Sequence, residues 1–422
     1  MQAGRKAPDA LGDLIAQEIR RSGGWLRFDA FMAQALYAPG LGFYAGGSGG
    51  GARGPIGPDW QGGDFVTAPE MTPLFAQTLA IQVVQWLDAL HHTPAHVIEF
   101  GAGNGVLAAG LLNGCAKGGR PIDHYSIVEV SAAMRERQQA HLREFAPHDA
   151  DRVQWLDALP QAIEGVIIGN EVLDAMPVRL FVLDQAQVFE RGVTLTDAGP
   201  TQPPALQWSD QPADAEFAGA VQGAIEEAGW SIDQAQGYVH EWPQQAVAWT
   251  HTVAQRLRRG AMLLLDYGFA RPEFYHRARH GGTLMCHRRH RSDPNPLIEI
   301  GARDITAHVD FTAIARAARA QGLQLQGYTS QARFLINCGL LEQIAHSGLT
   351  AGLRAPAAGA ASADSVRLAG AERARATQMA ALQTLLSEAE MGELFKVLAL
   401  SRGIDTPAIG FARGDRSMTL TP

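Results

Sequence analysis

The chain has 422 residues, 46% of them hydrophobic, and a formal net charge of −8. That length exceeds one typical domain and supplies a sizeable core, so two lobes are expected. The acidic balance without a long basic run excludes an electrostatic nucleic-acid binder, and no apolar stretch reaches a membrane span, so no membrane insertion is expected. The three cysteines, Cys115, Cys286 and Cys338, are scattered. Their spacing matches neither a metal site nor a disulfide framework, which suits a reducing cytoplasm. The N-terminus lacks a secretory h-region, and Asp9, Asp13 and Glu18 oppose an organellar transit peptide.

A first helix is predicted from LGDLIAQEIRRSG, stopped by Gly23, and a second over Phe28–Pro39, with Asp29 at its start. The glycine-rich run from Gly40 through Gly63 cannot pack a core and reads as a mobile loop. A polar turn then enters a long helix from about Thr72. The sheet begins at His96 with VIEF, then the loop Gly101, Gly103 and Gly105, then a helix. Glycines permit a sharp turn and close approach of a ligand to backbone N–H groups. A dinucleotide site would need a third glycine where Val106 stands, so that reading is disfavoured.

Strand HYSIVEV, His124–Val130, carries Glu129 near its end. A carboxylate there accepts both hydroxyls of a ribose, or else caps the helix starting near Ser131. Strand RVQW leads to Asp157, a ligand contact at the strand end or a solvated carboxylate. A fourth strand, Gly165–Gly169, runs into the turn NEVLDAMP, where Pro177 stops any helix. Glu171 and Asp174, three apart, would share one face of a helical turn there. Val178–Leu183 and QVFERGVTL pair as a hairpin, and the proline-rich Asp197–Glu216 reads as an insertion.

AVAWTHTVAQRLRRG reads as a helix to Gly260, and AMLLLDYGF as a fifth buried strand. The segment Phe269–Arg303 reads as an irregular lid or substrate loop, its basic run His287–Arg291 solvated. A helix at FTAIARAARAQG, a strand at LQLQGYTS, a flexible Ala351–Ser365 tract and a helix at Arg373–Ala389 follow. Alternating strands and helices predict an α/β doubly wound sheet, which binds ligands at its C-terminal strand ends. Glu99, Glu129, Asp157, Asn170, Glu171 and Asp266 all fall at such ends.

The order EFGAGNG resembles the first motif of class I S-adenosylmethionine-dependent methyltransferases. In that class the acid, here Glu99, supports the glycine loop or the methionine end of the cofactor, and an acid placed like Asp157 commonly meets the adenine amino group. Together with ALYAPGLGFY, GDFVTAPEMTPLF, IVEVS, GNEVLDAMPVR, LLLDYGF, DITAHVDF and MGELFKVLAL, the motif resembles the MidA family. The resemblance runs from about Leu11 to Gly410. Mitochondrial members of that family are complex I assembly factors with protein arginine methyltransferase activity.

The resemblance implies a class I methyltransferase (Rossmann-like) fold, mostly parallel, with an added helical or irregular lobe. The divisions expected are 1–90, a core at 91–270 with an insertion at about 178–236, and 271–422. It implies S-adenosyl-L-methionine as cofactor and no metal. It also implies a protein arginine as acceptor, and for the mitochondrial members an NADH dehydrogenase subunit as partner; a homodimer stays open. By position, Gly101, Gly103 and Glu129 would hold the cofactor, with Asp64 and Thr67 on a loop closing over it. Gly105 completes the glycine loop, and Asn170 contacts the cofactor or orders its turn.

A guanidinium acceptor needs carboxylates to grip it and receive a proton. Glu171 is the first candidate, Asp174 the second and His308 the third. Asp174 could instead cap its turn, and His308 could be structural. Glu70 is a further acid, or a cap for the helix after Thr72. Two other readings stay open: an assembly factor with little catalysis, and a small-molecule methyltransferase.

Overall fold

The computed structural model describes residues 7–45, 66–91, 93–196, 205–288, 291–347, 349 and 362–421. Asp64 and most of the glycine-rich run lie outside them, as does 351–361 of the alanine-rich tract. The rest of that tract opens the helix Ser362–Leu386.

The strands in chain order are β1 Leu26–Arg27, β2 His96–Phe100, β3 His124–Val128, β4 Val153–Leu156, β5 Ile163–Asn170, β6 Arg179–Asp184, β7 Gln187–Leu195 and β8 Leu206–Pro212. They continue as β9 Tyr238–Trp242, β10 Leu257–Phe269, β11 Met285–Arg288, β12 Arg291–Asp293, β13 Asp304–Thr306, β14 Val309–Asp310, β15 Gln324–Ser330 and β16 Phe395–Arg402.

The main sheet has the order β15-β16-β10-β5-β2-β3-β4, with β14 beside the end of β10. β2, β3, β4, β5 and β10 are mutually parallel, and β16 runs antiparallel between β10 and β15. This is the doubly wound, mostly parallel α/β sheet that the resemblance implies. Apolar side chains of β2, β5 and β10 are buried on both faces, as a parallel sheet covered by helices requires. The strand order reverses between β2 and β5, so a crevice opens above their C-terminal ends.

The helix Pro73–Ala89, capped by the Thr72 hydroxyl, lies against the helix Val106–Lys117. The pair is close because Gly110 faces Ala76, and a Cβ at Gly110 would stand 2.4 Å from the Ala76 Cβ. The helices Ala7–Arg21 and Phe28–Tyr37 pack instead on a second sheet, β1-β7-β6-β9 with β8 beside β7. The β6–β7 hairpin turns through Gln185 and Ala186, both with positive φ (47° and 61°), as a two-residue hairpin loop demands.

Four expectations are corrected. The helix before β10 ends at Arg256, because fully buried Leu257 already pairs with Ile163 of β5. The proline-rich insertion contains a strand, β8, hydrogen-bonded to β7. The turn after β5 is not helical, and Glu171 is left-handed at φ 53°. The segment after β10 is not irregular: β12-β11-β13 form a sheet, and Cys286, Ile305 and Ala307 join the core around Phe28 and Phe31. Among the described residues no helix is long and apolar enough to cross a membrane.

Candidate active site

A cavity of about 1000 Å³ opens above the ends of β2, β3 and β5. Its floor is the glycine loop. Gly101, Gly103 and Gly105 all have positive φ (62°, 52° and 87°), which L side chains rarely adopt. Gly105 ends the loop and packs under Gln138, outside the lining, while Gly101 and Gly103 face the cavity. The helix Val106–Lys117 starts at once, so its N-terminal dipole points into the crevice.

On the β3 side stands Glu129. One oxygen accepts the Ser131 N–H at 2.8 Å and the other the Gln138 amide at 3.2 Å. Ser131, not Glu129, caps the helix Ala132–Phe145 with its side chain. Gln138 also donates to the Gly103 carbonyl at 2.9 Å, which ties the acid to the glycine loop. Sequence reasoning missed Gln138, because its fully buried amide is visible only once this helix is docked. Burial pushes the Glu129 carboxyl up. Asp157 stands apart: its side chain is 89% exposed and pairs with Arg135 at 2.8 Å, off the cavity lining. Glu99 lines the cavity from β2, accepts the Tyr125 hydroxyl at 2.7 Å, and is pushed by burial up to about 7.

On the β5 side the turn Asn170–Ala175 brings Glu171 and Asp174 into the cavity together. Glu171 Oε1 accepts the Asn170 amide at 3.1 Å and the Ala68 N–H at 3.4 Å. Burial, then the nearby Asp174 and Glu70, push its carboxyl up to about 8. Asp174 Oδ2 accepts the Tyr267 hydroxyl, while its Oδ1 is buried without a hydrogen-bond partner among the described residues. Burial lifts Asp174 to about 6, against the Tyr267 bond. Tyr267 directly follows Asp266, yet only the packed sheet end shows where its hydroxyl goes.

The outer wall comes from both added segments. Tyr37 and Tyr44 stack at 5.6 Å, the Tyr44 hydroxyl donates to Asp304, and Met285, His287, Thr306 and His308 line the cavity with them. Of the predicted solvated run, His287 therefore lines the site, and Arg288 pairs with Glu299. Glu241 holds this wall through the N–H groups of Thr283 (2.8 Å) and Leu284 (2.9 Å), and the Thr283 hydroxyl receives the His308 N–H at 2.9 Å. Burial pushes His308 down to about 4, so its imidazole is neutral, and Nδ1 has no hydrogen-bond partner among the described residues. Thr67 and Glu70 close the site beside the glycine loop.

The lining carries Glu70, Glu99, Glu129, Glu171, Asp174 and Asp304, and among the described residues neither Lys nor Arg. Such a cavity is built for a cation. A nucleoside bearing a positive sulfonium and an ammonium fits it: glycine backbone below, an acid at one end, and unpartnered oxygens of Glu70, Asn170 and Asp174 within.

Residues 78–329, more than half of the chain, match the family described as "Putative S-adenosyl-L-methionine-dependent methyltransferase". A crystal structure from Burkholderia thailandensis, described as a "COG1565 superfamily member and likely methyl transferase" bound to S-adenosyl-homocysteine, is 46% identical with a TM-score of 0.85, covering 99% of each chain. The chain belongs to the MidA family of S-adenosylmethionine-dependent methyltransferases. A native Burkholderia thailandensis crystal structure of that superfamily agrees, at 45% identity and a TM-score of 0.82 over 99% of each chain. Similar curated proteins include the mouse mitochondrial protein arginine methyltransferase NDUFAF7, 27% identical over 76% of this chain and 72% of its own. The human NDUFAF7 is 26% identical over 76% and 71%. As in the MidA family at large, S-adenosylmethionine is the cofactor and methyl transfer the reaction.

Proposed function

We propose that this methyltransferase modifies an arginine side chain of a protein. One observation carries the reading: half-buried Glu171 and buried Asp174 are neighbouring acids on the cavity wall, and among the described residues no Lys or Arg is in the lining. An unpaired buried carboxylate is costly, so the partner must arrive with the substrate. A guanidinium suits two carboxylates because its fork of N–H donors bonds them bidentately while staying charged. The names of the mouse and human relatives support the same acceptor.

The cofactor supplies an electrophilic methyl on sulfur. Glu129 and the backbone at Gly101 and Gly103 hold its nucleoside, Glu99 steadies the strand end beneath, and Asn170 faces it from β5. Thr67 covers it. Glu171 and Asp174 grip two guanidinium nitrogens, which leaves the third facing the methyl with its lone pair localised. Positioning of this kind supplies much of the rate. Glu171, pushed up to about 8, is suited to receive the released proton near neutral pH. Neutral His308 closes the acceptor side. The walls formed by Tyr37–Tyr44 and β11–β13 give a peptide-bearing side chain a sheltered entry.

The test is incubation with labelled S-adenosylmethionine and paired peptides carrying arginine or lysine at one position. A peptide from an NADH dehydrogenase subunit is the first choice, given the complex I role that the family resemblance implies. Mass spectrometry of a treated lysate runs beside it. Methyl on arginine is the expected result. Methyl on lysine or on a small molecule overturns the reading. So does intact cofactor binding with no transfer, which favours an assembly factor.

A further inference from the structure

Glu70 stands near Glu171 but is not one of the two acids assigned to the acceptor. It sits on the short helix Ala68–Met71, and the following helix takes its cap from Thr72 instead. One carboxylate oxygen accepts the Asn104 amide at 2.7 Å, so the side chain is aimed at the glycine loop. The other oxygen is buried in the wall of the cavity and has no hydrogen-bond partner among the described residues. Burial pushes its carboxyl up to about 7 despite the Asn104 bond. Among the described residues no Lys or Arg lines the cavity with it.

Position along the rim says which cation. Glu129 stands at the end of β3 and Glu171 at the end of β5, with the glycine loop at the end of β2 between them. A nucleoside at Glu129 and an acceptor at Glu171 leave the space over Asn104 for the cofactor's amino-acid end. That end carries one carboxylate and one ammonium. The dipole of the helix Val106–Lys117 favours the carboxylate, and an acid is needed for the ammonium.

We propose that Glu70 binds the α-ammonium of S-adenosylmethionine, held in place by Asn104. This rests on the S-adenosylmethionine site described above. The cofactor and the segment Thr67–Met71 then close on each other, since Ala68 of the same helix also donates to Glu171. Cofactor binding thereby sets the wall against which the acceptor docks.

The test is calorimetry on wild type, Glu70→Gln and Asn104→Ala. Three probes are used: S-adenosylhomocysteine, its analogue with hydrogen in place of the α-amino group, and 5′-methylthioadenosine. Wild type should prefer the amino compound over the deaminated one by about 10- to 100-fold. Glu70→Gln should lose most of that preference while binding the other two probes as wild type does, which also shows that its site is folded. Asn104→Ala should lose part of it. A preference retained in Glu70→Gln, or equal weakening of all three probes, overturns the role. Wild type failing to bind S-adenosylhomocysteine overturns the cofactor site itself, a separate failure.

Discussion

Asp266, the last acid of β10, accepts the backbone N–H of Leu173 at 2.9 Å, and through the same oxygen those of Val172 (3.2 Å) and Asp174 (3.3 Å). Its other oxygen takes the Tyr267 N–H at 3.0 Å. The carboxylate thus shapes the turn that presents Glu171 and Asp174. Burial and those two acids push it up, and the backbone N–H groups oppose the push. Asp266→Asn must set an amide N–H₂ against one of these donors. We expect a loss of about 1–3 kcal/mol of stability by denaturant unfolding, with methyl transfer falling more than cofactor affinity.

Glu171→Gln separates binding from transfer. Cofactor affinity by calorimetry should stay near wild type, while kcat falls by about 100-fold or more. Stability should move the other way. The folded Glu171 carboxyl, at about 8, lies above its ordinary 4.5. Its contribution is therefore full below about pH 4.5 and lost as pH rises through 8. Gln mimics the protonated form, so at pH 9 the variant should melt about 2–4 °C above wild type and at pH 5 level with it. Equal melting at both values would remove the burial argument.

Tyr267→Phe removes the hydroxyl that stabilises ionised Asp174. Its carboxyl, at about 6 with that bond, should rise further. The acidic limb of the kcat/KM profile then shifts to higher pH by about one unit. An unmoved limb means Asp174 does not need to be ionised for turnover.

Gly101→Ala meets two obstacles. Its φ of 62° is left-handed, and its Cβ would stand 3.1 Å from a Val172 methyl, next to Glu171. Strain of about 1–2 kcal/mol is expected, together with at least tenfold weaker S-adenosylhomocysteine binding by calorimetry.

Glu129→Ala should weaken the cofactor by about 10- to 100-fold and leave the Gln138 N–H₂ bonded to the Gly103 carbonyl, while its oxygen still accepts the Trp155 indole N–H. Affinity equal to wild type would show that Glu129 is not the ribose ligand.

Much of the core was legible in the residues. The glycine loop has no side chain to be misread, and AMLLLDYGF is too continuously apolar for anything but a covered parallel strand. The failures share one cause. Leu257–Gly260 follows a helix pattern, but pairing with β5 outweighs local propensity. The segment of β11–β13 has short, polar-interrupted strands whose partners are distant in sequence, and its order comes from packing against Phe28 and Phe31.

The sequence by itself determined the sheet, its glycine turn and the acids at strand ends, because strand periodicity and backbone freedom are local properties. Only the tertiary structure decided which acids share a cavity. It set Asp157 out in solvent with Arg135, brought Glu70 onto Asn104, and seated Glu171 beside Asp174 in a lining that has no Lys or Arg among the described residues. Burial and charge pairing depend on what the rest of the chain places within a few ångströms, and spacing along the chain does not encode that.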